Sequence, residues 1–414
     1  MKKSLETWRY PVILLCSIGI SSIGGWIYFI ALNLIVLKLT ESALAVSGLY
    51  IVRACSSLLT NFWSGSLIDR FNKKNLMIIL NLFQSILIVL LPFFSSLVSI
   101  YALVFIITAA SSMYHPTSMT YITKLIPIAQ RKRFNSLRSL LDSGAFLTGP
   151  AIAGLLFTLG TPNMAIYLNA IALSLSACIT FKMPNVEAHE KFDSNTEKAS
   201  LYHVLLHDWQ MVIRFSFKNR YVMMIYMLFS ATIVLMTATD SLEAAFATQV
   251  LALSEGQYGM LVSLAGVGVL IGSLTNSAFV EKIPTAWLIG MGSLITALGY
   301  LVFTSSFTFL IAALGCFLLS FATAFANTGF YTFYQNNIPS KIMGRIGSIY
   351  GFFEALFIIV FTAIFGLVAE WMTIRVVVVS ASYMMLFIAV ILLLLTIQRS
   401  KRSYYQGIVS SRKQ

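Results

Sequence analysis

Apolar runs separated by short polar or basic joints make up most of the chain. No Asp, Glu, Lys or Arg stands between Lys74 and Lys124, a stretch of 49 residues (123−75+1), or between Lys282 and Lys341, a stretch of 58 (340−283+1). A helix needs roughly 20 apolar residues to cross the hydrocarbon of a bilayer, so each stretch holds at least two crossings. Inside lipid every backbone N–H and C=O must be paired within its own segment, which makes these runs helices. Twelve spans follow, at 11–38, 44–68, 75–95, 98–124, 136–160, 163–183, 221–248, 257–280, 285–304, 307–335, 346–369 and 375–397. They predict an all-α membrane protein.

One long polar stretch, Pro184 to Arg220, divides the spans six and six. The expected organisation is an N-terminal six-helix bundle over 1–183, a cytoplasmic central loop over 184–220, a C-terminal six-helix bundle over 221–398 and a basic cytoplasmic tail over 399–414. Within the loop, Leu201, Val204, Leu205, Trp209, Val212 and Phe215 recur at helical spacing and predict an amphipathic helix at the membrane surface. A shift of 212 positions superimposes unlike residues of the two halves. Ile126-Pro127 falls on Ile338-Pro339, Arg133 on Arg345, Ser136 on Ser348, Asp142 on Glu354, and Gly154-Leu155 on Gly366-Leu367. Two homologous halves of one orientation predict pseudo-symmetric bundles with a transport site between them.

Composition and charge narrow the function class. Of 414 residues, 58% are hydrophobic and 10% charged, against about 25% charged in soluble domains. The net charge of +13 would suit nucleic acid, but with the N-terminus inside, about 25 of the 28 Lys and Arg fall on one side. Lys38 and Arg375 fall outside, and Arg53 lies within a span. That positive-inside asymmetry predicts a multi-pass protein of the plasma (inner) membrane with both termini cytoplasmic. Basic clusters such as Arg131-Lys132-Arg133 then set topology, and the bilayer rather than nucleic acid is the expected partner. The first run, Pro11 to Leu37, exceeds a signal-peptide core and is expected to stay as the first helix.

Cys16, Cys55, Cys178 and Cys316 lie in apolar runs, with neither disulfide nor metal-ligand spacing. His203 and His207, four apart, lack further ligands, so no metal site is expected. No Gly-x-x-x-x-Gly-Lys-Ser/Thr stretch occurs, so no cofactor or fused ATP motor is expected, and either an ion gradient supplies the energy or transport is passive. No nucleophile and base pattern marks an enzyme. The rival class, a membrane enzyme or a receptor that moves nothing, rests on the loop's Glu187, His189, Glu190, His203 and His207.

Charges within spans cost roughly 2.5 to 3.5 kcal/mol each on insertion scales and mark function by default. Arg53 sits in the outer third of span 2, and Asp240 and Glu243, spaced i, i+3, share one face of span 7 near its outer end. Arg53 is expected to pair with one of these acids across the halves when the outer side is shut, and one acid to carry the exchanged proton. The alternative has the acids reaching the outer headgroups and Arg53 satisfied within its own half. Asp142 and Glu354 either relay protons inward or pair with Arg138, Arg133, Arg345 or the basic loop after span 2. His115 precedes Pro116 and matches Asn327 in the repeat; it is a structural hydrogen-bonding group or a proton carrier. Trp26, Tyr28, Phe29, Asn327, Tyr331 and Tyr334 are the cavity candidates for an amphipathic substrate.

Three motifs carry a resemblance. Gly65-Ser66-Leu67-Ile68-Asp69-Arg70-Phe71-Asn72-Lys73-Lys74 resembles the signature loop of the major facilitator superfamily, G-x-L-x-D-R-x-G-R-K/R, with Asn72 in place of the second glycine. Asn also tolerates positive φ. In the second half, Gly272-Ser273-Leu274-Thr275-Asn276 keeps the Gly-Ser-Leu and loses the acid. Gly144, Gly149-Pro150 and Gly154 resemble the Gly-Pro motif of its drug/proton antiporters, and either gating or packing makes Gly149 and Gly154 intolerant of bulk. Pro339 with Gly344-Arg345-Ile346-Gly347-Ser348 resembles the matching loop of macrolide-efflux and enterobactin exporters. Span 4 departs from many drug antiporters, since Ala109 to His115 carries no arginine.

The resemblance implies a monomeric secondary transporter that exports a drug, antibiotic or siderophore by proton antiport with alternating access. Proton-coupled nutrient uptake and lipid flipping are the alternatives within the fold. It also implies gating roles for Asp69, Arg70, Lys73 and Lys74, with Gly65, Arg133 and Arg345 of the related loops as further gating candidates and Arg53 a candidate by its charge within span 2.

Overall fold

In the computed structural model, which describes residues 2–40, 43–159, 162–187, 201–253 and 255–405, the apolar runs are helices and the joints fall where local chemistry ends them. The first half contains α1 (Lys2–Thr40), α2 (Ala43–Arg70), α3 (Lys73–Leu90), α4 (Leu97–Leu125), α5 (Ile128–Leu159) and α6 (Pro162–Phe181). The amphipathic segment forms α7 (Leu201–Lys218). The second half contains α8 (Arg220–Asp240), α9 (Glu243–Ala245), a π-helical turn (Phe246–Val250), α10 (Glu255–Phe279), α11 (Thr285–Thr304), α12 (Phe309–Asn337), α13 (Met343–Trp371) and α14 (Ile374–Thr396). Among the described residues, ten helices are long and apolar enough to cross a membrane. α2 and α5 have the length, 28 and 32 residues, with more polar and charged positions along them.

The Ile-Pro pair repeated in the two halves explains the break before α5 and α13. The ring of a proline disfavours the helical conformation in the residue before it. Ile126 (φ −92°, ψ 120°) and Ile338 (φ −104°, ψ 123°) accordingly close α4 and α12 in extended form. Asn72 does not use positive φ: at φ −61° and ψ 119° it is the N-cap of α3, its side chain accepting from the Asn75 N–H.

Helix positions repeat with the offset of the sequence repeat. α12 begins and ends at that offset from α4 (309−97, 337−125), and α14 begins at the same offset from α6 (374−162). Packing repeats too: α1 with α6, α3 with α6, α2 with α4 and α3 with α4 recur as α8 with α14, α11 with α14, α10 with α12 and α11 with α12. Each set buries its own apolar cluster, around Ile27, Leu32, Ile100 and Ile166 in the first and around Leu235, Tyr300, Val377 and Met385 in the second.

Contacts sort the chain into two compact units. Unit 1 is Met1–Pro127, Gly144–Phe215 and Pro339–Phe352; unit 2 is Ile128–Ser143, Ser216–Ile338 and Phe353–Gln414. The first turns of α13 thus pack within unit 1, and those of α5 within unit 2.

Two details differ from the sequence reading. α5 starts at Ile128, eight residues before the predicted span (136−128), so the Arg131-Lys132-Arg133 cluster is helical. Span 7 is interrupted after Asp240, where the Leu242 N–H bonds to Thr239 O at 3.0 Å and the Ser241 hydroxyl donates to Ala238 O at 2.6 Å. Those local bonds tighten the last turn and divert the backbone from the α ladder. Asp240 and Glu243 therefore do not share one continuous helix face. His189, Glu190 and the tail beyond Tyr405 lie outside the described residues, as do the side chains of Lys38, Pro150, Gly154 and His203.

Candidate functional site

Gly65, one turn before the end of α2, lets α13 come into contact there. A Cβ on it would stand 2.7 Å from Arg345 Cα and 2.9 Å from both Gly344 O and Ser348 Cβ. The Ser64 and Ser348 hydroxyls bond at 3.1 Å beside it. This approach sets Asp69, whose side chain is 1% exposed, under the first turn of α13. Its Oδ1 accepts from the Gly344 N–H at 3.0 Å and its Oδ2 from the Arg345 N–H at 3.1 Å, with Arg345 Nε 3.7 Å from Oδ2. Asp69 is thus a cap supplied by another helix: it satisfies orphan N–H groups and places negative charge at the positive end of the α13 dipole.

A second buried acid completes this seat. Asp208 of α7 accepts from Arg70 Nη2 at 3.1 Å and lies 3.2 Å from Arg345 Nε through its other oxygen. Trp209 packs its ring on Phe62 of α2 and Phe352 of α13 at centroid distances of 5.6 and 6.3 Å, which holds α7 in place. One segment of the central loop thereby joins both arginines of the signature loops.

Behind the seat, Glu187 anchors the chain leaving α6. It accepts from Lys124 Nζ at 2.6 Å and from the Lys73 N–H at 2.7 Å, and Lys73 Nζ lies 3.2 Å away. Burial raises its carboxyl, but the Lys124 and Lys73 bonds and charges outweigh that and hold its pKa below the usual glutamate range. Lys74 points elsewhere, its ammonium 5.4 Å from the Phe181 ring.

Unit 2 seats the first turns of α5 in a related way. Arg131 donates to the Gln335 carbonyl and, at 3.1 Å, to Asn336 Oδ1; Asn135 donates to Thr332 Oγ1 at 3.1 Å and Gln335 Oε1 at 2.9 Å. Arg133 lies 3.7 Å from Glu281, with both side chains more than half exposed. This pair stands at the repeat offset from Asp69 and Arg345 (281−69, 345−133), so the acid of the second copy is present at Glu281. Gly272, matched to Gly65 by its Gly-Ser-Leu, instead packs α10 against α12, where a Cβ would stand 2.7 Å from Phe321 Cα.

The charges within the spans have partners in their own units. Arg53 lies 4.9 Å from the Phe29 ring centroid, and Asp240 accepts from the Tyr300 hydroxyl at 2.7 Å. Glu243 opens α9, three positions after Asp240. Asp142 sits 3.8 Å from Arg138, whose guanidinium lies 5.8 Å from the Tyr331 ring, whereas its repeat mate Glu354 accepts from the Ser230 hydroxyl at 2.5 Å. The two equivalent acids therefore differ, one beside a cation and one beside a neutral donor. His115 is on an exposed face of α4, and Asn327 is half-buried on α12.

Of the cavity aromatics, Trp26 meets Phe29 and Phe146 edge-on at 5.9 and 4.9 Å, and Tyr28 is buried. Tyr334 and Tyr331 join Tyr226 and a stacked Phe229–Phe330 pair at 4.0 Å. A Cβ on Gly149 would run into Trp26 Cβ, whereas Gly144 has nothing within 4 Å of such an atom. Gly149→Leu should therefore lower the melting temperature of the purified protein, with an overpacking cost of about 1–3 kcal/mol. Gly144→Ala should hold or raise stability, by up to about 1 kcal/mol of helix propensity.

Residues 14–362 match the family described as Major Facilitator Superfamily. The chain belongs to the major facilitator superfamily. It is 30% identical over 188 residues to YfiS, an uncharacterized MFS-type transporter of Bacillus subtilis (strain 168), a match spanning 45% of this chain and 45%, less than half, of that relative. Solved superfamily structures share its fold. A bacterial homologue of the iron transporter ferroportin, outward-facing, superimposes at TM-score 0.73 with 16% identity over 95% of this chain and 99% of that one. The human organic anion transporter MFSD10 gives 0.76 with 12% identity over 94% and 99%, and the E. coli fucose:proton symporter FucP gives 0.67 with 15% over 95% and 100%. This superfamily member is a multi-pass membrane protein of a transporter family.

Sequence reasoning named Asp69, Arg70 and Arg345 of the superfamily signature but missed Asp208, Lys124, Arg131, Asn135 and Gln335. One signal for Asp208 was available: it is an acid beside Trp209 and four before Val212, on the apolar side of an amphipathic helix. Glu187 entered only with the enzyme alternative, and its place between two lysines depends on the fold.

Proposed function

We propose that this transporter exports an amphipathic small molecule across the plasma membrane in exchange for protons, working as a monomer by alternating access. The carrying observation is the meeting in unit 2 of an aromatic surface, Tyr226, Phe229, Phe330 and Tyr331, with the acid Glu354 bonded to Ser230. Rings bind an apolar body by stacking and shape, and an acid at their edge can exchange a proton for a bound substrate. The export direction rests on the exporter-like loops around Gly149-Pro150 and Gly344-Arg345.

In this cycle the seat of α13 on Asp69 and Asp208 is the cytoplasmic latch, and its release admits substrate from the cytoplasm. Seating and release shift the population between two states, which is all that gating requires. On the opposite side, Arg53 leaves Phe29 and meets Asp240 or Glu243, in competition with Tyr300. Both termini are then cytoplasmic, and the proton gradient is the energy source with no cofactor.

The test is counterflow in proteoliposomes with an internal pH dye, against macrolides, cationic dyes and siderophores. Substrate added on the outlet side should drive proton movement in the opposite direction. Glu354→Gln and Asp240→Asn should each lower substrate-driven proton movement by at least about a hundredfold, the lower end of the scale for a lost proton-transfer group. Full coupling in both variants and in Glu243→Gln would sink the antiport reading, and proton entry together with substrate would favour symport.

A further inference from the structure

Unit 2 contains a cavity of about 550 Å³ where α10 turns into α11, and ten of its eleven lining residues are apolar or glycine, the other being Lys282. Its repeat counterpart in unit 1 is packed. In unit 1, Leu76, Leu80, Ala110 and Met113 pack with Ile68 into a buried cluster. Their counterparts in the second copy, Leu288, Gly292, Ala322 and Phe325, line the cavity (288−76, 292−80, 322−110, 325−113). Gly292 brings α11 close to α12, since a Cβ would stand 2.7 Å from the Ala326 nitrogen, so the α12 backbone stands where the Leu80 side chain packs in unit 1.

The mouth is basic. Lys282 is the repeat counterpart of Arg70 (282−70), whose charge is met by Asp208 of α7, a helix with one copy among the described residues. Lys282 instead lies 5.6 Å from the Phe279 ring, and Lys132 donates to the carbonyl of the lining residue Ile283. Arg133 and Glu281, next in sequence to these two lysines, pair with each other, and the lining residue Trp287 is 47% exposed.

We propose that this cavity holds one anionic phospholipid, its acyl chain along Met291, Ile295 and Phe321 and its phosphate at Lys282 and Lys132. An apolar slot with a cationic mouth fits an amphiphile with an anionic head, and each ammonium has donors for phosphate oxygens. A small free anion has no use for the slot. A zwitterionic lipid brings no net charge to match the mouth. The site goes beyond the transport reading and requires residence in a membrane, not export or proton coupling.

The test uses the purified full chain, delipidated in detergent and titrated with micelles of phosphatidylglycerol or phosphatidylcholine, with retained lipid counted by native mass spectrometry. Phosphatidylglycerol should be held roughly 10- to 25-fold more tightly, and Lys282→Gln and Lys132→Gln should each weaken it about fivefold, the value of one cation near an anionic lipid surface. Ile295→Trp should lower occupancy by filling the slot; if it does not fold, the two lysine variants decide alone. Equal retention of both lipids, retention unchanged in both lysine variants, or equal competition by glycerol phosphate without acyl chains would overturn the proposal. Because no flux is measured, the result stands apart from the outcome of the transport assay.

Discussion

Asp69→Asn should slow substrate flux by about 10- to 100-fold while leaving the protein folded. The asparagine keeps an acceptor oxygen but loses the charge that meets the Gly344 and Arg345 N–H groups and the Arg345 guanidinium. Hydrogen bonds to a charged partner contribute about 1.5–3 kcal/mol, one to two powers of ten in the balance between seated and unseated α13. Two measurements check it: flux in proteoliposomes, and labelling of a cysteine at Ser348 by a membrane-impermeant thiol reagent in a background without the native cysteines. Labelling should rise as flux falls. Asp208→Asn should act in the same direction by about three- to tenfold, and the double variant by less than the product, because both acids hold Arg345. Unchanged flux and labelling in Asp69→Asn would show that the seat does not gate.

Glu187→Ala should be the most damaging change to stability. It leaves the Lys73 and Lys124 ammonium groups, 2% and 10% exposed, without the carboxylate between them, and it removes the acceptor of the Lys73 N–H. Removing one partner of a buried ion pair costs about 3–5 kcal/mol, chiefly through the uncompensated charge left behind. Thermal unfolding in detergent should show a large fall in midpoint, and adding Lys124→Met to Glu187→Ala should recover part of it. Glu187 has its pKa lowered on folding. Its contribution is therefore fully present above the unfolded value of 4.5 and is lost as pH falls through the lower folded value. Wild type should keep this anchor at all neutral and mildly acidic pH. A Glu187→Ala midpoint equal to wild type would remove the anchor from the account.

Several features of the site were readable from residues alone because their causes are local. The Ile-Pro joints before α5 and α13 follow from proline sterics, and the signature stretch Gly65 to Lys74, with the loop around Gly344, located Asp69, Arg70 and Arg345. Matching Gly272 to Gly65 misled, because the same three residue types pack against α12 in one copy and α13 in the other. Helix offsets corrected the register and placed Glu281 opposite Arg133. The shared face of Asp240 and Glu243 failed for a related reason: i, i+3 spacing has meaning only while the helix continues.

By itself the sequence determined the apolar spans, the joints between them and the internal repeat, because hydrophobic length, proline and charge-free runs act over a few turns of backbone. Tertiary structure alone decided which charge meets which. Arg345 reaches Asp69 and Asp208 from 276 and 137 positions away (345−69, 345−208), and Glu187 reaches Lys73 from 114 (187−73). Ion pairing falls off within a few ångströms, and only close helix packing of the kind Gly65 allows brings such distant side chains into that range.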